Sequence, residues 1–318
     1  MDDEERLGAD VSRWAVIGSS SFSGSSFCGH LGRLGENILP ISRQSGFDLN
    51  RHLPYIVAFL RREEPDYVVN FAALNMVAPS WDFFADYYQT NLISVAKLAR
   101  EVAGMPFVKR WVQVSTPEVY GDQGVFLKED APYRPSTPYA VSRAALDLDL
   151  LALHRTFGFS VSFTRSVNVY GPYQQPYRII PKTVLKIMRG EKLELHGGGR
   201  STRSFIHIDD VSRSIVTVAE CGVSGEVYHT STGTQTGIRD LVRMIAEQLG
   251  ADFETFVVDV EERPGKDMAY QLDSSKIRAE LGWKDQVPFD VGLRKTVEWF
   301  QANADAYEED SLEYVHRR

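Results

Sequence analysis

Tyr139 and Arg143 lie four residues apart in YAVSR, so on a helix a phenol and a permanent cation share one face. An ordinary phenol titrates near ~10, and to serve as a base close to neutrality it must fall by ~3 units, roughly 4 kcal/mol. A fixed cation beside it can supply stabilisation of that kind. A second stretch with chemical potential is Gly18-Ser-Ser-Ser-Phe-Ser-Gly24. A tight glycine turn that opens a helix lets backbone N–H groups and the helix dipole meet a pyrophosphate. Ser21, Phe22 and Ser23 fill this turn, and Ser21 stands where the usual motif has its middle glycine. Two glycines also occur in a strand-turn-helix that binds nothing. Position favours the ligand reading here, since the turn follows the first apolar run and precedes an apolar helix.

These residues need a frame, and the first half of the chain supplies one. WAVIGS, NILPI, DYVVNFAA, RWVQVST and SVSFTRS are short β-branched runs, read as strands. Between them HLPYIVAFLRREE, DYYQTNLISVAKLAREVA and YAVSRAALDLDLLALHRTF carry apolar residues at helical spacing. Near-continuous apolar strands alternating with helices imply a parallel sheet covered on both faces, a Rossmann-like, doubly wound α/β fold. Beyond residue 170 the pattern loosens into Gly-, Pro- and polar-rich loops with isolated helices. The expected organisation is a dinucleotide-binding domain over 1–170 and a smaller α+β substrate-binding region over 171–318. Some segments of the latter should return to the first domain, and the two should pack around one cleft. The helix after FIHI is expected to be capped by Asp209 or Asp210.

Composition excludes several classes. The 318 residues are 43% hydrophobic and 25% charged, enough to bury a real core. A net charge of -8 argues against nucleic acid as the main partner, since phosphate backbones are held by clustered cations. Cys28 and Cys221 are too few for a disulfide framework or a thiolate metal site, and are read as small apolar residues in a reducing, cytoplasmic setting. No metal is expected, because the seven histidines lack ligand spacing. No apolar run approaches the roughly 20 residues of a membrane span, and the start MDDEERLGAD is acidic where a signal peptide would be basic, so no membrane partner is expected.

The second strand ends PISRQS, where an NAD site usually offers an acid to the adenine ribose. Ser42 and Arg43 stand there instead, and an arginine welcomes a 2′-phosphate. NADP is therefore slightly preferred to NAD, tightly bound in either case, with Asp48 and Leu49 flanking the adenine.

VIGSSSFSG, NFAA, STPEVYG, YAVSR, NVYGPYQ, RSFIHIDD and RPGKDMAYQLDSSKIRAELGW together resemble the extended short-chain dehydrogenase/reductases that act on nucleotide-sugars. Within these the chain is most similar to the dTDP-glucose 4,6-dehydratase group. The resemblance implies that Tyr139 removes the C4 hydroxyl proton while hydride passes to a nicotinamide, with Thr116 hydrogen-bonded to the same oxygen. The family's lysine, which also contacts the nicotinamide ribose, is Arg143 here; an arginine keeps the charge but is planar and never deprotonates. Glu118 matches the glutamate that takes the C5 proton. The aspartic acid that protonates the departing C6 hydroxyl in dTDP-glucose enzymes is Pro117, so Glu118 would act twice, as in relatives acting on GDP-mannose. Ala72 and Ala73 of NFAA, and Asn91 behind the nicotinamide site, complete the implied cofactor set. Ser80, Asn168, Arg178, Arg203 and Arg263 match positions that hold the nucleotide-diphosphate sugar, where arginines can bind phosphate through two hydrogen bonds at once. The family also implies a homodimer.

Three readings follow. The leading one is a 4,6-dehydratase that oxidises C4, eliminates water across C5 and C6 and returns hydride to C6. The rival is an epimerase, or another enzyme working through a C4 ketone. The third is a catalytically weak sugar-nucleotide binder, since Ser21, Ser42, Pro117 and Arg143 all depart from the family at functional positions.

Overall fold

The computed structural model describes residues 11–123, 126–261, 271–308 and 310–316. Strands β1 (Arg13–Ile17), β2 (Asn37–Ile41), β3 (Tyr67–Asn70), β4 (Arg110–Val114) and β5 (Val161–Ser166) coincide with the five apolar runs. Short strands β6 (Asn168–Tyr170), β7 (Leu193–His196), β8 (Thr202–Arg203) and β9 (Phe205–His207) follow, and then β10 (Val227–Thr230). The central sheet has the order β10-β5-β4-β3-β1-β2, and every adjacent pair is parallel. Because the chain leaves β1 for β2 on one side and β3 on the other, a crevice opens at the carboxyl ends of these strands.

Helices cover both faces. On one lie α1 (Phe22–Arg33) and, much later in the chain, α7 (Ile208–Cys221); Phe27 and Leu31 meet Val211 and Ile215 over Trp14 and Val16 of β1. On the other lie α2 (Leu53–Glu63), α3 (Phe84–Tyr88), α4 (Val95–Ala103) and α5 (Pro138–Phe157), where Ile56, Leu98 and Leu150 pack with Ile17, Val68 and Trp111. The second lobe has its own core, in which Val184 of α6 (Ile179–Met188) meets Leu241 and Ile245 of the helix Ile238–Gln248 and Phe300 of the helix Phe289–Ala302.

Two local expectations are corrected. The single helix read over DYYQTNLISVAKLAREVA is interrupted, because residues 89–94 form a wide π-helical turn between α3 and α4, a feature often found at functional sites. Neither aspartate caps α7. His207 occupies that position and its Nδ1 accepts the Asp209 N–H at 3.3 Å. Asp210 instead lies buried, where it accepts the N–H groups of Gln286 (2.7 Å) and Val287 (3.2 Å) and pairs with Arg213.

Beneath β4 and β5 sits a buried polar network. The side chains of Arg165 and Asp147, both fully inaccessible, pair at 2.8 Å. Asp147 also accepts the Ser115 hydroxyl at 2.6 Å, and Arg165 donates to the hydroxyls of Tyr120 and Tyr133. Tyr120 in turn meets Nε2 of His229, on β10, at 2.7 Å. Burial, with Arg165 adding repulsion, pushes the His229 imidazole down to about 3. The unfolded chain therefore takes up a proton near pH ~6.5 that the folded protein refuses until about 3, so stability falls as pH drops through that window. Urea titrations from pH 7 to 4 should show a shallower loss for His229→Gln than for the parent. Equal slopes would mean that this histidine is not a source of acid sensitivity.

Candidate active site

Two adjoining clefts open at the carboxyl end of the sheet and share Ser21, Phe71 and Ala73 in their walls. The one over β1, β2 and β3 holds about 610 Å³. Its floor depends on glycine. Gly18 has φ +78°, donates to Ile41 O at 2.8 Å, and a Cβ on it would stand 2.8 Å from Ala72 N. A Cβ on Gly24 would lie 2.3 Å from Gly18 O, so the turn and the first helical turn touch backbone to backbone. Ser21 is the N-cap of α1, accepting from Gly24 N at 3.1 Å and donating to Gly18 O at 2.8 Å. The serine thus fastens the turn that a middle glycine would leave loose.

The other residues expected at this cleft divide between its wall and the interior. Ser42, Arg43, Asp48, Leu49, Ala72 and Ala73 all line it. Ser42 caps the turn Arg43–Ser45 in a reciprocal pair of hydrogen bonds with Ser45. Asn91 does not face the opening. It is buried in the π-helical turn, where its carboxamide accepts from Leu74 N (2.8 Å) and donates to Leu74 O and Ser142 Oγ (both 3.0 Å). Ser142 then donates to the carbonyl of Tyr139, so Asn91 ties the loop after β3 to α5.

The second cleft, about 630 Å³, lies between the lobes. Phe22, Ser23, Thr116, Glu118, Tyr139 and Arg143 all line it, from three separate stretches of chain. Thr116 ends the β4 segment and caps the turn Pro117–Tyr120, with Oγ1 accepting the Glu118 N–H at 3.3 Å. Pro117 occupies the first position of that turn, where a missing N–H costs nothing and a fixed φ favours the bend. Glu118 is half-buried on the cleft wall. Tyr139 enters from the first turn of α5, which Thr137 caps, and stands edge-on to Tyr87 at 6.3 Å. Arg143, one turn on and 3% exposed, donates through Nη2 to Val114 O, while its Nε finds no acceptor among the described residues.

Asn168, Arg178 and Arg203 line the far wall. With Arg143 they place three cations around a cleft whose nearest carboxylate is Glu118, inside a chain of net charge -8. Ser80 is not brought to this wall; it is buried, with its hydroxyl on Val77 O at 2.6 Å. Arg263 lies outside the described residues.

Gln174 was not selected from the sequence, although NVYGPYQ contains it. Its Nε2 donates to Val169 O at 2.7 Å, and its Oε1 is buried on the cleft wall with no donor among the described residues. Asn70 and Gln113 were also missed. They pair at 3.0 Å at the ends of β3 and β4, and Asn70 Oδ1 fixes the Ala72 N–H. Among the described residues no group of three His, Cys, Asp or Glu side chains could hold a metal ion, and no helix is long and apolar enough to cross a membrane.

The chain is similar to several known proteins over most of its length. The sequence signature of a family described as GDP-mannose 4,6 dehydratase matches residues 50–296. The chain is 40% identical over 240 residues to a dTDP-glucose 4,6-dehydratase of Streptomyces niveus, covering 75% of this chain and 70% of that one. The structure of the dTDP-glucose 4,6-dehydratase DesIV from Streptomyces venezuelae, with NAD bound, superposes with a TM-score of 0.85 at 33% identity, over 95% of this chain and all of that one. A UDP-glucose 4-epimerase of Thermotoga maritima, with UDP-glucose, gives 0.85 at 26% identity over 92% of this chain and 99% of the other.

Proposed function

The chain belongs to the GDP-mannose 4,6-dehydratase family, and from that premise we propose that it is a nicotinamide-dependent 4,6-dehydratase of a nucleotide-diphosphate sugar. One observation carries the reading: Thr116, Glu118, Tyr139 and Arg143 converge on the wall of a cleft that continues into the glycine-floored one. The glycine cleft fits a dinucleotide because backbone approaches backbone where a pyrophosphate must lie, at the N-terminus of α1. A nicotinamide held there would supply the hydride acceptor for C4 and the hydride donor for C6.

The chain's own residues do the rest. Tyr139 takes the proton of the C4 hydroxyl. Thr116 already accepts the Glu118 N–H, so its own proton is directed to the C4 oxygen. Arg143 supplies a fixed positive charge to the same cleft wall as Tyr139. Glu118 takes the C5 proton once C4 is a ketone and passes it to the hydroxyl leaving C6, which departs as water; after hydride reaches C6, a proton drawn from solvent completes C5. Pro117 cannot do this, and its place in the turn accounts for it otherwise. Arg178 and Arg203 face the diphosphate, with Asn168 beside the nucleotide. Arg43, at the cleft over β2, favours NADP over NAD through a 2′-phosphate. An epimerase, which would return the C5 proton or the C4 hydride without losing water, is the second reading; Pro117 is the residue in its favour.

Incubating the purified protein with dTDP-, UDP- and GDP-hexoses and identifying the product tests the proposal. A 4-keto-6-deoxy sugar supports it, and an epimer that keeps its C6 hydroxyl rejects dehydration. Arg143→Lys keeps the charge but not the planar guanidinium that reaches Val114 O, and should lower turnover by about tenfold. A faster Arg143→Lys enzyme would show the arginine to be a handicap.

A homodimer through α4 and α5 fits their outward faces. Ile93, just before α4, and Val141 and Leu148 on α5 are exposed, while Arg100 and Asp149 clamp the two helices together at 2.8 Å. The cytoplasm is the compartment we infer, from two unpaired cysteines; Cys28 is half-buried and its thiol is pushed up to about 11 by burial, whereas Cys221 is exposed rather than packed as the sequence led us to expect.

A further inference from the structure

The segment Asp310–His316 leads from a wall residue of the sugar cleft, Tyr177, to the wall of the glycine-floored cleft, which His316 lines. Arg189, just after α6, donates to the carbonyls of Tyr307 and Asp310, and Lys182 of α6 pairs with Glu313, which anchors the segment on the second lobe. Leu312 is buried beside them. Tyr314 then stands edge-on to Tyr177, a wall residue of the sugar cleft, with ring centroids 5.4 Å apart. Its hydroxyl lies 3.2 Å from Nδ1 of His316 and also hydrogen-bonds Tyr87, the ring against Tyr139.

His316 completes the crossing on the first lobe. Its ring stacks on Phe83 at 4.1 Å and 10°, and its Nε2 lies 3.2 Å from Oδ2 of Asp86 at the start of α3. The side chain is only 6% exposed, and with Asp86, Gln89 and Thr90 it forms one wall of the glycine-floored cleft. Both ring nitrogens thus have protein partners, with Nε2 donating to the Asp86 carboxylate, so the imidazole is held as a flat wall.

We propose that Asp310–His316 is a strap that retains the dinucleotide, with His316 as a wall of its binding site and Tyr314 as the tie to the sugar cleft. This inference rests on the dinucleotide reading above. A ligand seated in the cleft meets a wall pinned to both lobes, and its release requires that wall to lift from Phe83, Asp86 and Tyr177.

The test is a dissociation rate. Full-length protein is loaded with NADPH or NADH, whichever it binds, and the loss of bound fluorescence is followed after mixing with excess oxidised dinucleotide. His316→Ala combined with Tyr314→Ala should speed dissociation by about tenfold, the loss expected from two aromatic contacts. Val315→Ser, at an exposed position of the same segment, should leave the rate as in the parent. An unchanged or slower rate in the double variant, with an unchanged thermal melt, overturns the strap while leaving the dehydratase reading intact. A parent protein that binds neither dinucleotide overturns the underlying reading, and the strap with it.

Discussion

Tyr139→Phe should lower turnover by about 10²–10⁴-fold, the usual worth of a positioned proton acceptor, while leaving sugar-nucleotide affinity within a few-fold. The ring would remain edge-on to Tyr87 and the α5 cap at Thr137 would be unaffected, so the loss reports on the hydroxyl alone. Measured as kcat and KM separately, the change should fall almost wholly on kcat, because an interaction made only in the transition state is removed. Glu118, Thr116 and Arg143 remain on the cleft wall to bind substrate in that variant. A Tyr139→Phe enzyme within tenfold of the parent would show that the phenol is packing, with another group as base.

Removing one half of the buried ion pair beneath the site should be the largest blow to stability. Asp147→Ala leaves Arg165 fully inaccessible without its carboxylate, and also strips Ser115 of its acceptor. Breaking such a pair typically costs about 3–5 kcal/mol, which for a protein of this size lowers Tm by about 10 °C. The rings of Tyr120 and Tyr133, 4.6 and 4.8 Å from the guanidinium carbon, soften the loss through cation-π contact but cannot neutralise the charge. Asp147→Leu with Arg165→Met, which removes both charges, should recover most of the stability. Ser115 directly precedes Thr116, so even the recovered double variant is expected to turn over more slowly. A single variant as stable as the parent would mean that water or a rearranged neighbour reaches Arg165.

The sequence announced the first five strands because parallel strands buried on both faces read as unbroken apolar runs, as in WAVI and YVVN. It pointed to a candidate site because STPEVYG and YAVSR resemble local motifs of a known family, and Thr116, Glu118 and Tyr139 of those motifs line one cleft. What it could not announce depends on contacts remote in the chain. VYHT looked no different from any short apolar run, and only its pairing beside β5 makes it the sixth strand. The bulge at residues 89–94 leaves the apolar periodicity of its helix almost intact. Asp209 and Asp210 satisfied the local rule for a cap, but Asp210 is claimed by Gln286 and Val287, some seventy-five residues away. Pro117 read as a lost acid. In the structure it is the first residue of a capped turn that aims Glu118 into the cleft. His316 carried no signal at all, since a histidine among polar residues gives no hint of a ring lying on Phe83.

The most direct test of the account follows one atom through the reaction. With the accepted sugar nucleotide deuterated at C4, the account predicts a 4-keto-6-deoxy product carrying that deuterium at C6, and in heavy water a single solvent deuteron at C5. Deuterium retained at C4, or a product still bearing its C6 hydroxyl, would contradict it.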